Sequence, residues 1–387
     1  MNYVLFDGQH HQKLKPLTLT RPVAYLRVGV FKIHEKWNNF LAEEVGVRSK
    51  DYLSKKFNSF DEKALCGISG ALLPDEDLCS AISELEDNTI MMKDGQVLAI
   101  KPLPKEQEME SALNKYRVVK YTESIQVINR PMDIFLLNEN QIASDLSFIE
   151  ADFKPSNDYG EGNLIIGDQV FIEDGAVLNG VTLNSNDGPI YIQKNTEIME
   201  GSNIRGPFVL MEGSIIKMGA KIYGATTIGP FCKVGGELGN VVFQGYANKA
   251  HDGFAGNSVI GHWCNLGADT NTSNLKNNYG EVKSYSYVSD SFEPTGTSYC
   301  GLIIGDHSKS SINTMFNTGS VVGAFVNVFD GGFPPKFIPS FSWGGKNGFV
   351  DYDFDKAIEV AKIVMKRRGV DLDEPTIEIY KNLSETK

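Results

Sequence analysis

Cysteine is scarce and unpatterned in this chain: Cys66, Cys79, Cys232, Cys264 and Cys300 are odd in number, widely spaced and never form C-x-x-C. That excludes a disulfide framework and suggests no thiolate metal site, so no bound structural metal is expected and a reducing, cytoplasmic setting fits best. Long apolar runs are also missing. No stretch approaches membrane-spanning length, and the start, Met1-Asn-Tyr-Val-Leu-Phe-Asp, lacks a basic segment followed by an apolar one; neither a membrane span nor a secretion signal is expected. Basic charge is in deficit, 37 Lys and Arg against 49 Asp and Glu for a net charge of −12. This argues against general affinity for nucleic acid or an anionic membrane, and leaves room only for a small anion in a local basic pocket. With 41% apolar residues in 387, the chain is ordinary globular protein, long enough for two domains.

What is abundant is a period of six. Aliphatic residues fall at Ile192, Ile198, Ile204, Leu210, Ile216, Ile222, Ile228 and Val234, and a small residue usually follows four places on, as at Thr196, Ser202, Ser214, Ala220, Thr226 and Cys232. Six is neither the period of a helix nor that of a simple strand, and eight units of it predict stacked triangular coils, a left-handed parallel β-helix of hexapeptide repeats. Each aliphatic residue then points inward and stacks on its equivalent eighteen residues later. Shorter runs precede this block at Ile166, Ile172 and Leu178, and follow it at Ile260 and Leu266, then at Ile304, Phe316, Val322 and Val328. The rhythm fails at 239–259 and at 270–298.

The remainder divides around this block. Residues 1–150 read as a short α/β domain: a strand at 3–6, an extended proline-containing segment at 13–28, a helix capped by Asp75, a strand at 97–100 and a connecting helix at 131–149. The polar stretch 154–162 marks a boundary, the β-helix occupies 151–345, and 346–387 form a helical tail. That tail opens on Asp351, Asp353 and Asp355 and runs through an apolar stripe to Lys366-Arg367-Arg368-Gly369, as the helix dipole and a glycine cap favour.

A coil core filled by side chains offers no cavity, so chemistry is expected where the rhythm fails. The first failure carries Lys249-Ala250-His251-Asp252-Gly253-Phe254. An imidazole is the side chain best suited to take a proton from an amine near neutral pH, and a lysine beside it can hold a phosphate as a point charge. His262 and His307 sit at coil turns and read as solvated corner residues.

Asn248-Lys249-Ala250-His251-Asp252-Gly253-Phe254, with Val259-Ile260-Gly261-His262-Trp263-Cys264-Asn265-Leu266-Gly267-Ala268 and Asn274, resembles the acetyltransferase half of a bifunctional family: N-acetylglucosamine-1-phosphate uridyltransferase/glucosamine-1-phosphate N-acetyltransferase. The likeness extends to the variant of that family found in Bacteroidetes, through Pro16-Leu17-Thr18-Leu19-Thr20-Arg21-Pro22 and residues 337–345. The resemblance implies a transferase of nucleotide-sugar and cell-envelope biosynthesis that uses acetyl-CoA as co-substrate and works as a homotrimer on a sugar phosphate. It makes His251 the general base, gives Lys249, Phe254, Asn265 and Lys283 to the substrate, and gives Ala268 and Asn274 to the acyl-CoA. Phe254 stands where the family motif has tyrosine.

For residues 1–150 the same resemblance implies a sugar nucleotidyltransferase-like domain with Lys13, Arg21 and Arg27 as phosphate-binding cations and Mg2+ if it is active. Only Gly8 remains of the expected glycine cluster, so nucleotidyl transfer is expected to be weak or absent. The primary expectation is acyl-CoA-dependent N-acyl transfer. The alternatives are nucleotidyl transfer as the main activity, or a non-catalytic sugar-nucleotide-binding protein.

Overall fold

The computed structural model describes residues 2–60, 66–105, 108–150 and 160–386; residues 154–159 of the expected linker lie outside them. The N-terminal part is α/β, as expected. Its six-stranded mixed sheet runs in the order Gly46–Arg48, Tyr3–Phe6, Cys66–Ser69, Gln96–Lys101, Thr89–Lys93, Arg117–Lys120. The first three strands are parallel, and Gln96–Lys101 is antiparallel to both its neighbours. Asp75 caps the helix Glu76–Ser83 by accepting from the Leu78 amide at 2.8 Å. The connecting helix spans Asp133–Glu150.

A left-handed parallel β-helix follows, and its register is the hexad pattern made physical. Ile192 pairs with Leu210 and Leu210 with Ile228; Ile198 pairs with Ile216 and then Val234; Ile204 pairs with Ile222 and then Leu238. All nine are essentially fully buried. Each contributes about 1.5–3 kcal/mol by leaving water, and the stack propagates coil upon coil with no long-range partner needed.

The first break in rhythm, at 239–259, is not an excursion from the stack. Glu237–Phe243 is one strand spanning two faces: Leu238 pairs with Ile222 and Val242 with Thr227, around a left-handed corner at Asn240. Phe254–Ile260 then pairs with it in register. The coils here are merely shorter, so that Lys233 is followed on the next coil by Asn248 and then by Asn265. The second break is a true excursion, carrying the antiparallel hairpin Lys283–Ser286/Ser291–Pro294.

The two parts share a core. Val242, Val259, Ile303 and Val321 point out of the β-helix into the same apolar cluster as Leu5, Ile68, Ile134 and Phe135. The helix Asp133–Glu150 also lays Ile142 and Leu146 on Tyr191 and Val209.

One coil corner carries an aromatic ladder. Phe231, Tyr246, Trp263, His307, Phe325 and Phe341 all have left-handed backbone, with φ between 52° and 62°, and each ring stacks on the next at centroid spacings of 5.0, 4.2, 6.1, 4.7 and 4.8 Å. Such backbone costs about 1–3 kcal/mol per residue and persists only where packing offsets it. Two C-terminal helices supply that packing at the Phe325–Phe341 end. Phe354–Lys366 is capped by Asp353, and Glu374–Glu385 is capped by Asp373 with proline in its first turn. They bring Ala357, Ile358, Ala361, Ile379, Tyr380 and Leu383 against the rings. The second of these helices was not foreseen from the hydrophobic pattern.

Candidate active site

The outward-facing position of one β-helix face forms a ladder, Lys233, Asn248, Asn265, Lys309 and Asn327, one residue per coil. Polar side chains lie there because the pleat turns their neighbours Val234, Leu266 and Val328 into the core. The end of the helix Phe354–Lys366 crosses this face and closes a cleft of about 730 Å³. Its lining includes Asn248, His251, Asn265, Ala268, Tyr246 and Trp263, with Lys233, Lys309, Arg367 and Arg368 as its cations. Arg368 donates to Asn248 Oδ1 at 2.8 Å, which ties the helix end to the amide ladder.

His251 stands exposed at the coil corner that opens onto this cleft. Its backbone is held from beneath. Lys249, expected to meet substrate, occupies instead the inward hexad position paired with Val234 and is 1% exposed. Its ammonium donates to the carbonyls of Gly235 at 3.2 Å, His251 at 3.0 Å and Gly253 at 2.6 Å. An ammonium has three protons, so none remains for a phosphate. Burial draws its pKa down to about 8 against the opposing pull of Asp252 and Asp269, which leaves it cationic at neutral pH. An inward lysine also explains why the aliphatic rhythm fails here.

Of the other residues singled out from the sequence, Asn265 and Ala268 share the cleft with His251. Phe254, Asn274 and Lys283 do not line it. Phe254 lies past the corner, where its ring and the Asn274 amide both crowd Gly256; Asn274 donates to Asn257 Oδ1 at 2.8 Å. Lys283 opens the hairpin, and its carbonyl accepts from Lys336 at 3.0 Å. The pattern had not marked Lys233, Asn248, Lys309, Arg367 or Arg368 as site residues. The polar residue just before each inward anchor was the available signal for the first three, and the Lys366-Arg367-Arg368 run for the last two.

Of the cations assigned to phosphate in the N-terminal part, the two arginines are engaged elsewhere. Arg21 donates to Asp306 and to the His262 ring, and Thr20 donates to the same carboxylate at 2.6 Å. Arg27 is buried and donates to the Val30 carbonyl, while its backbone amide donates to Gln244 Oε1 at 2.8 Å. Both arginines thus join the two parts of the molecule. Lys13 is half-buried beside His10. His262 and His307 are not solvated corners either: His262 is enclosed by Arg21 and Asp306, and His307 is 1% exposed with Nε2 3.0 Å from the Tyr380 hydroxyl. Burial, then neighbouring cations, hold both far below the usual histidine range, so both are neutral.

A second crevice, of about 250 Å³, lies at the C-terminal ends of Tyr3–Phe6 and Gly46–Arg48, where ligands of open α/β sheets bind. Asp7, Gly8, Arg48, Ser49 and Lys50 line it. Asp7 already accepts from the Val23 amide at 2.8 Å and faces His11 at 3.1 Å. With its carboxylate so engaged, no cluster of metal ligands is present among the described residues of the crevice, and the expectation of Mg2+ rests on the sequence resemblance.

Residues 3–154 match the family model described as sugar nucleotidyl transferase. The chain is 29% identical over 170 residues to the bifunctional protein GlmU of Wigglesworthia glossinidia brevipalpis, covering 43% of this chain and 32% of that protein. To GlmU of Synechococcus elongatus it is 27% identical over 183 residues, 45% and 36% of the two chains. The chain therefore spans about a third of the length of the curated relatives it matches. Among solved structures, the UDP-N-acetylglucosamine acyltransferase LpxA of Bacteroides fragilis is 18% identical, covering 57% of this chain and 82% of its own, with a TM-score of 0.24. The likeness to the bifunctional family read from the motifs is the one these sequence comparisons support.

Proposed function

We propose that this chain, a relative of the bifunctional GlmU proteins, is a transferase that moves an acyl group from acyl-CoA to the amine of an aminosugar or aminosugar phosphate. The observation that carries the reading is the placement of His251 at an open coil corner, on the rim of a cleft floored by the Asn248–Asn265 amide ladder. In the step, the acceptor nitrogen attacks the thioester carbonyl; the C–N bond forms, the C–S bond breaks, and CoA leaves as the thiol. The His251 imidazole takes the proton shed by the nitrogen and passes it to the departing sulfur. Asn265 and Asn248 offer amide donors and acceptors to sugar hydroxyls, and Ala268 leaves room for the acyl chain. Phe254, Asn274 and Lys283, which lie beyond the corner in one copy, are offered to a neighbouring copy's cleft in a cytoplasmic homotrimer.

The match over residues 3–154 favours a second reading in which nucleotidyl transfer accompanies acyl transfer. Arg48, Ser49 and Lys50 of the crevice, not Arg21 or Arg27, are then the residues to test against a nucleoside triphosphate.

Acyl-CoA turnover against a panel of amino-sugar phosphates is the direct assay. Replacing His251 with Ala lowers kcat about 10²–10⁴-fold if it is the general base; undiminished turnover removes that role. Pyrophosphate release that needs both a nucleoside triphosphate and a sugar 1-phosphate, measured on the same preparation, decides the second reading.

A further inference from the structure

Four cations line the cleft, and among the described residues none of Lys233, Lys309, Arg367 and Arg368 lies within ion-pair distance of a carboxylate. Some cations elsewhere have carboxylate partners, as Lys36 has Asp145, Lys55 has Glu378 and Arg117 has Glu86; these four instead share one opening without one. The two arginines follow the end of one helix, Arg367 as its C-cap, and Lys233 comes from a coil face, so two separate elements converge like charges on one opening. The crowding is felt: burial first, then Arg368, Lys217 and Arg367, lower the Lys233 pKa. Like charges held together without a counterion destabilise a fold, and an anion that enters relieves them. Arg368 is also held in place by Asn248, so one guanidinium is set before a ligand arrives.

We infer that Lys233, Arg367 and Arg368 form a phosphate subsite at the mouth of the His251 cleft, with the C-terminal helix supplying the guanidinium pair. Its ligand is a phosphate group carried by one of the two substrates. That assignment of source rests on the acyl-transfer reading; the anion site itself does not. Lys309, deeper along the ladder and hydrogen-bonded to the His307 carbonyl at 2.9 Å, adds positive potential without being free to reach the mouth.

Calorimetric titration of the full chain tests it with two pairs of probes: CoA against dephospho-CoA, and glucosamine 1-phosphate against glucosamine. The native protein is expected to bind at least one phosphorylated member tenfold or more tightly than its partner, with affinity falling as salt rises. R367Q, on an exposed side chain, and the triple variant K233Q/R367Q/R368Q are expected to abolish that preference and leave the member lacking the extra phosphate unaffected. K362Q, which removes the same charge from the same helix outside the cleft, is expected to preserve it. Loss within the CoA pair assigns the subsite to the donor, and loss within the glucosamine pair to the acceptor. No discrimination by the native protein, or equal loss for both members of each pair, overturns the proposal. Binding is read without turnover, and on H251A as well, so a failure of the acyl-transfer reading and a failure of the subsite are told apart.

Discussion

Lys249 shows how little a residue's type says about its task until its direction is known. Beside His251 in the sequence it reads as a phosphate ligand; in the fold it faces inward and its three protons go to the carbonyls of residues 235, 251 and 253. Its function is to position the corner that carries His251. Lys249→Met keeps the bulk and removes all three donors; Gly253 still accepts from the Glu237 amide at 3.2 Å, while the Gly235 and His251 carbonyls lose their donor at about 1–3 kcal/mol each. The expected outcome is a lowered midpoint in urea together with a kcat reduced tenfold or more and KM within threefold, measured on protein that is still folded. A change confined to KM for a phosphorylated substrate would return Lys249 to the role read from the sequence. The arginines make the same point from the other side. Arg21 and Arg27 stand in a segment that resembles a phosphate-binding one, yet burial against Asp306, Gln244 and Val30 turns them into joints between the parts of the chain.

The elements divide into those made by a repeat and those made by packing. Hexad strands follow from local pattern because each coil needs only its neighbour. The aromatic ladder is different: its left-handed corners are unfavourable for any residue with a bulky side chain, and nothing local compensates. Phe325 lies between His307 and Phe341 and meets Tyr380 edge-on at 4.8 Å. Phe325→Ala is expected to cost about 3–5 kcal/mol and to loosen the helices that cover it, seen as faster protease cleavage within residues 354–386. Since the end of the first of these helices roofs the cleft, acyl transfer should weaken in the same variant. Intact helices and unchanged cleavage would mean that the ladder does not anchor them.

At the scale of the whole molecule, burial of thiols sets an alkaline limit. Desolvation raises Cys66, Cys79, Cys232 and Cys300 to about 12 from an ordinary 9. Between those values the unfolded chain has lost the thiol proton and the folded chain keeps it, so the folded state binds more protons and stability falls as pH rises. Their contribution is fully present below about pH 9 and is lost toward pH 12, by up to about 1.4 kcal/mol per pH unit for each group. Tm should therefore decline steadily above pH 9, and Cys232→Ala should flatten that decline. A Tm independent of pH from 9 to 11 would show the thiols to be uncoupled from folding. The same burial reflects how the parts are joined: Cys66 of the N-terminal sheet and Cys300, just after the excursion, sit in one cluster with Val242 and Val259 of the β-helix.

What the sequence determined by itself was whatever depends on neighbours in the chain. The six-residue period specified the β-helix and its inward residues, the capping aspartates specified helix starts, and the motif around His251 marked the corner. Only the tertiary structure decided which side of a coil each polar residue faces, since one shortened coil moves Lys249 inward and aligns Lys233, Asn248 and Asn265 on a single ladder. It alone brought Arg367 and Arg368, more than a hundred residues from His251, over the same cleft. The reason is physical: a repeat encodes contacts between adjacent coils, whereas a site between a coil face and a distant helix is set by how their apolar faces pack, and local pattern carries no record of that.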